Sequence, residues 1–143
     1  MSRIKIEIPD FFSFSTWFPV RITDLNYGAH VGNDTVLSFI HEARMQFLKS
    51  LGYTELNLEG TGLIMSDVAI EFKKEIHYGD EVCISIAVMD FNRVGFDLVY
   101  KLEKNSDQAN TLLALAKTGM VCYDYSLKKV THLPEPARQK LSA

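Results

Sequence analysis

Residues 21–52 read RITDLNYGAHVGNDTVLSFIHEARMQFLKSLG, and the fold turns on this stretch. Apolar residues recur at Val36, Leu37, Phe39, Ile40, Ala43, Phe47, Leu48 and Leu51. That spacing follows a helical repeat with a wide apolar stripe, so it predicts one long, mostly buried helix. Asn33 is placed to cap its start, Asp34 suits the positive end of the helix dipole, and Gly52 stands where a helix-ending glycine belongs. A polar loop, Asp24 to Asn33, feeds this helix, and the run from Trp17 to Thr23 before it reads weakly as a strand.

Working outward, the chain after Gly52 changes to a period of two. A loop with two glycines, Tyr53 to Gly62, leads into a strand pattern from Leu63 to Ile76. There Val68, Ile70 and Phe72 point one way, and Asp67, Ala69, Glu71 and Lys73 the other. Tyr78-Gly79-Asp80 is a turn. Val82, Ile84, Ile86 and Val88 then alternate with Cys83, Ser85, Ala87 and Met89. The chain turns again over Asn92 to Gly95, and Phe96, Leu98, Tyr100 and Leu102 alternate with Asp97, Val99 and Lys101. Lys104 to Asn110 reads as a polar hairpin loop, and Thr111 to Tyr125 as a last long strand with Gly119 a candidate bulge. Pro134 to Leu141 reads as an exposed helical turn or two, or a frayed tail. At the other end, Ile4, Ile6 and Ile8 suggest a short strand or arm ended by Pro9. The aromatic cluster Phe11, Phe12, Phe14, Trp17 and Phe18 suits core packing or a dimer contact.

One helix followed by strands on short turns implies an antiparallel sheet and an α+β fold. A single helix cannot cover both faces of five or six strands. Either the sheet curls around the helix or a second subunit covers the other face, and the mixed outer residues Ala69, Cys83, Ala87, Met89 and Val99 favour a dimer. With 143 residues the chain is expected to be one domain, 1–143, with an arm at 1–16 and a tail at 126–143.

Composition narrows the function. The net charge is −3 and there is no basic stripe, which argues against nucleic acid as a partner. Lys73, Lys74, Arg93, Lys128 and Lys129 still offer local charge for a phosphorylated small molecule. Cys83 and Cys122 read as buried free thiols. The start has no signal-peptide h-region and no apolar run approaches ~20 residues, so a cytoplasmic protein with no membrane contact is expected. No metal or cofactor is expected: His41-Glu42 does not open a zinc motif, because Met45 stands where the second histidine belongs.

The chemistry gathers in the loop Asp24-Leu25-Asn26-Tyr27-Gly28-Ala29-His30-Val31-Gly32-Asn33. Gly28 and Gly32 free the backbone, and the helix start offers unpaired N–H groups. A carbonyl placed there would be polarised and its oxyanion stabilised, as acyl transfer requires. Asp24, Asn26 and His30 lie close by. A neutral imidazole accepts a proton from water, which makes His30 the expected general base.

These residues resemble the hotdog-fold thioesterases of the 4-hydroxybenzoyl-CoA thioesterase type, whose pattern D-x-D-x-x-G-H-V-N-N precedes a helix carrying E-A-R. Asp24, Asn26, His30, Val31 and Asn33 fall in step with it, and so do Glu42, Ala43 and Arg44. The strand Ile70 to Glu75 followed by Gly79-Asp80 extends the similarity, which runs from about Val20 to Asp124. The resemblance implies one long central helix wrapped by a five-stranded antiparallel sheet, with a sixth strand allowed, a homodimer or dimer of dimers, and an acyl-CoA substrate. It also implies a thioester bound at Gly28, Val31, Gly32 and Asn33 and catalysis by Asn26, His30, Asp24 and Glu42. One departure stands out. Many members have a catalytic aspartate where this chain has Asn26, and an amide cannot be a base. Ala29 and Gly32 likewise replace the commoner Gly and Asn. The base must then be His30, Asp24 or a carboxylate such as Glu42, Asp67, Glu71 or Glu75, from either subunit. The alternatives are a hydratase on the same fold, whose D-x-N-P-x-H pattern Asp24 and Asn26 begin, and an acyl-CoA binding module without turnover.

Overall fold

The computed structural model describes residues 3–105 and 109–143. A strand, β1 (Phe14–Pro19), leads into a single 3-10 turn at Ile22–Asp24 and then the 18-residue helix α1 (Asn33–Ser50). Strands β2 (Gly62–Phe72), β3 (Glu81–Met89), β4 (Gly95–Lys104) and β5 (Thr111–Asp124) follow, then the two-residue strand β6 (Lys129–Val130) and helix α2 (Glu135–Ser142). All pairings are antiparallel in the order β1-β3-β4-β5-β2, with β6 on the end of β5. The architecture is α+β with one six-stranded antiparallel sheet.

Strand alternation builds the core as the sequence implies. Ile84, Ile86, Leu98, Tyr100 and Leu102 are fully buried on the face that also holds Val82 and Phe96. Each such aliphatic side chain contributes about 1.5–3 kcal/mol of burial. Helix α1 adds Val36, Phe39, Ile40, Ala43, Phe47 and Leu48 to the same cluster. Phe18 stacks on Phe39 and Phe14 packs against Phe47, so two of the five residues of the aromatic cluster pack against the core. Phe11 and Trp17 face outward, 74% and 46% exposed.

Several expectations need correction. The weak strand lies three residues earlier, because Ile22–Asp24 closes into a 3-10 turn. The bulge falls on β2 at Ser66, opposite Gly119, whose carbonyl accepts the Ser66 hydroxyl at 3.1 Å. The last residues are no frayed tail: α2 buries Ala137 and Leu141 against the core. In α1, Leu37 is partly exposed while Arg44 is only 4% exposed. The loop expected over Lys104 to Asn110 lies partly outside the described residues.

The outer sheet face is roofed in part by the chain itself. The Ser13 N–H bonds Ile86 O at 3.1 Å, Lys101 lies over the Phe12 ring, and the Ile6 N–H reaches Glu71 Oε1 at 3.1 Å. The arm therefore crosses from β3 to β2, and Ala87, Val99 and Leu115 beneath it are buried within one chain. Their apolar character no longer requires a second subunit.

Candidate active site

Asp24 closes the 3-10 turn. Its carboxylate accepts the Arg21 N–H at 2.8 Å and the Arg21 guanidinium at 3.2 and 3.3 Å, and the residue is 5% exposed. The chain then doubles back: the Asn26 N–H donates to His30 O at 2.9 Å and the Ala29 N–H to Asn26 O at 3.1 Å. Such a tight reversal needs one left-handed residue, and Ala29 takes that conformation at φ 65. The Asn26 Oδ1 accepts the Gly28 N–H at 2.8 Å, which fixes which end of the amide carries the NH2 group. Tyr27 at the tip is fully exposed. The His30 Nδ1 lies 3.2 Å from Val31 O, so Nδ1–H donates there and Nε2 is left as the acceptor.

The helix start is open. The cap is Gly32 and not Asn33, because Gly32 has extended backbone (φ −75, ψ 162) and its carbonyl already accepts Thr35 N–H and Val36 N–H, each at 3.1 Å. No side chain caps the helix. The Val31 N–H is spent on Ile76 O at 2.8 Å, which pins the loop to the segment after β2. Among the described residues the N–H groups of Asn33 and Asp34 meet no acceptor. The Asn26 Nδ2 faces the same spot: a Cβ on Gly32 would sit 3.5 Å from Asn26 Nδ2 and 2.7 Å from Asp34 Oδ1.

Three clefts flank this point. One of about 230 Å³ is lined by His30, Asn33, Val36, Phe72, Lys74 and Glu75. A second of about 520 Å³ holds Asp24 and Glu42 with Phe18, Ser38 and Phe39. A third of about 370 Å³ runs along α1 from Asp34 past Leu37 and His41 to Arg44, Glu55 and Met65. Asn26, Gly28, His30, Gly32 and Asn33 thus come together. Asp24 and Glu42 share a different cleft, and the Glu42 carboxylate accepts the Gln46 amide at 3.0 Å. Glu75 shares the His30 cleft, with His77 at 3.4 Å. Asp67 and Glu71 project from the other side of the sheet. Lys117 at 2.9 Å holds the Asp67 carboxyl below its ordinary range, and Lys73, helped by the Ile6 N–H, does the same for Glu71.

Sequence reasoning missed two residues. Arg44, noted in the sequence only as the last residue of the E-A-R pattern, is buried: its Nη1 donates to the Tyr100 hydroxyl at 3.3 Å and its Nε lies 3.5 Å from Glu55 Oε2. Glu55 also meets His41 Nε2 at 2.7 Å, and Tyr100 meets the Thr118 hydroxyl at 2.7 Å. The available signal was position, since Arg44 lies one turn after Ile40 on the buried stripe. The second is Asp34, read only as a partner for the dipole. Neither thiol belongs to the site: burial pushes both Cys83 and Cys122 up from the ordinary thiol range. Among the described residues no three His, Cys, Asp or Glu side chains gather as a metal set.

Known proteins resemble this chain in sequence and in fold. The profile described as "Thioesterase-like superfamily" matches residues 20–141. The protein named "Putative acyl-CoA thioesterase YneP" from Bacillus subtilis (strain 168) is 26% identical over 107 residues, 73% of this chain and 75% of that one. A thioesterase-superfamily crystal structure from Jannaschia sp. CCS1 superposes with a TM-score of 0.82 at 20% identity, covering 94% of this chain and 84% of its own. An Asp-to-Asn mutant of 4-hydroxybenzoyl CoA thioesterase, crystallised with 4-hydroxybenzoyl CoA, superposes with a TM-score of 0.81 at 13% identity over 90% of this chain and 97% of its own.

Proposed function

The chain belongs to the thioesterase-like superfamily, and from that premise we propose that it hydrolyses an acyl-CoA thioester at the start of α1. The observation that carries the reading is the open helix end: among the described residues, two N–H groups without acceptors, at Asn33 and Asp34, with the Asn26 Nδ2 beside Gly32, which precedes them. α1 serves as the filling around which the sheet rolls in the hotdog manner, and residues 1–143 act as one domain.

The thioester oxygen docks against the Asn33 and Asp34 N–H groups, where the helix dipole also favours negative charge. The Asn26 Nδ2 gives a third donor. Water adds to the carbonyl carbon and the oxygen becomes an oxyanion, which these fixed donors hold without rearrangement. The tetrahedral adduct collapses, the C–S bond breaks, and the thiolate of CoA departs with the carboxylic acid left behind. Gly28 lets the loop close over Asn26, and Val31 ties it down through Ile76. A second copy of the chain would add at the open edge of β2, where Met65, Val68 and Phe72 are exposed.

The test is free-thiol release from a panel of aliphatic and aromatic acyl-CoAs. Catalytic release of CoA is the expected result. Water addition to an enoyl-CoA with no thiol released would make the chain a hydratase. Tight binding without turnover across the panel would make it a binding protein.

A further inference from the structure

Hydrolysis at the α1 start needs a group that removes a proton from the attacking water. Asn26 cannot, because a neutral amide has no basic lone pair at this pH. His30 was the expected base, yet its free nitrogen is turned back along the loop. Its Nε2 would lie 3.3 Å from a Cβ built on Gly28, on the side where the Asn26 Oδ1 lies, 3.2 Å from the same point. The Nδ2 at the other end of that amide lies beside Gly32, which precedes the open N–H groups. Asp24 is engaged by Arg21, and Glu42 sits in the cleft that Asp24 lines.

Resting on the thioesterase reading, we propose that Asp34 is the general base of the reaction. Its carboxylate folds back over the helix start, so that Oδ1 comes within 2.7 Å of where a Gly32 Cβ would stand. The bare Cα of Gly32 is what admits it. Gly32 has ordinary extended backbone, so its lack of a side chain serves space and not conformation. The Asn26 Nδ2 lies 3.5 Å from that same point. The Asn26 amide and the Asp34 carboxylate thus meet over Gly32, the residue that precedes the open helix start. Asp34 also heads the 370 Å³ cleft that continues along Leu37 and His41, which gives the acyl group or the leaving thiol a path away from the carbonyl.

The proton balance is simple. A water oxygen bonds to the carbonyl carbon while its proton passes to the Asp34 carboxylate. When the C–S bond breaks, the electron pair leaves on sulfur. The protonated Asp34 or solvent returns the proton to the thiolate, and the carboxylate is restored.

The experiment compares the wild type with Asp34→Asn, Gly32→Ala and the double variant, measuring thiol release against pH on the best acyl-CoA. Asp34→Asn should lower kcat by about 10²–10⁴-fold, as loss of a general base does. KM should stay within about threefold and the acid limb of the kcat profile should disappear. Gly32→Ala keeps the backbone and folds, but its methyl displaces the carboxylate, so kcat falls in the same direction. Because both changes act through one group, the double variant should be no slower than Asp34→Asn alone. Wild-type turnover with an Asp34→Asn kcat within threefold of it overturns the proposal and leaves the thioesterase reading standing. Strict additivity in the double variant also overturns it, since Gly32 then matters for another reason. No turnover of any thioester by the wild type overturns the reading and the proposal together.

Discussion

The two ends of α1 are built on opposite plans. At the C-terminal end the carbonyls of Phe47, Leu48, Lys49 and Leu51 all have partners. The Gly52 N–H returns to Lys49 O at 2.9 Å and the Tyr53 N–H to Leu48 O at 2.8 Å, with Gly52 at φ 83, the paired closure that glycine makes possible. The Ser50 hydroxyl adds a bond to Phe47 O at 2.6 Å and Lys140 one to Leu51 O at 3.1 Å. At the N-terminal end, among the described residues, no side chain caps the helix and two N–H groups meet no acceptor, and the left-handed position of the loop is filled by Ala29. Groups already satisfied have nothing to give a substrate. The helix is anchored at one end so that the other can stay unsatisfied.

If that division holds, changes near the anchored half should cost stability and changes at the open end should cost rate. The largest expected effect is at Arg44. Truncation to Ala opens a cavity in the core and leaves Glu55, which keeps His41, and the Tyr100 hydroxyl, which keeps Thr118, each one partner short, at a cost of about 3 kcal/mol. Urea unfolding should show it as a lower midpoint, and a loss under about 1 kcal/mol would mean that the buried guanidinium is not a fixed element of the core. Asn26→Ala acts on the other side of the division. It should reduce kcat by about 10–10³-fold, the scale of one oxyanion donor or less. Its unfolding midpoint should hardly move.

The anchored end also has a pH signature. Tyr53 closes the helix and its hydroxyl donates to Glu59 at 2.5 Å; burial, reinforced by that carboxylate, pushes the phenol up to about 12. A phenol raised in the folded state contributes stability that is fully present below its ordinary value near 10 and is lost as pH rises through about 12. Tyr53→Phe should therefore flatten the alkaline part of the stability profile between those values. If the wild-type profile matches that of Tyr53→Phe, the hydroxyl carries none of this linkage.

The smallest effects come as a mirrored pair. Gly52→Ala should destabilise by about 1–2 kcal/mol, because a Cβ is unfavourable in the left-handed region. Ala29→Gly should do the reverse, but the gain is offset by the entropy of a freer unfolded chain and reaches at most about 1 kcal/mol. Equal effects of the same sign would show that the two left-handed positions do not differ as their residues suggest.

What the sequence disclosed follows the same division. The satisfied parts were legible: the apolar stripe of α1, the alternation through β3 and β4, and Gly52 at the helix end all express local periodicity or a single backbone need. The loop motif pointed to the candidate site because its glycines and polar groups crowd one helix start. Long-range placement was not legible. The stripe places Arg44 inward, but nothing local says that it meets Tyr100, 56 positions away. Nor does anything local say that the Ile4–Phe12 arm lies across the sheet, or that Val31 spends its N–H on Ile76. Asp34 was hidden for another reason. An acid in the first turn of a helix is so common that only its position over Gly32 sets it apart.

The claim at the centre is that the substrate carbonyl is held by backbone donors at the open end of α1. Asn33→Pro tests it directly. Proline is well tolerated at the first helical position, where it deletes one N–H and little else, and the extended Gly32 before it is compatible. The measurement is kcat for thiol release by Asn33→Pro beside the wild type, with thermal unfolding run on both. The account predicts an unchanged melting temperature and a kcat reduced by about 10²–10³-fold, the cost of one missing oxyanion donor. A variant that folds normally and turns over as fast as the wild type would contradict it, because the carbonyl would then be bound elsewhere.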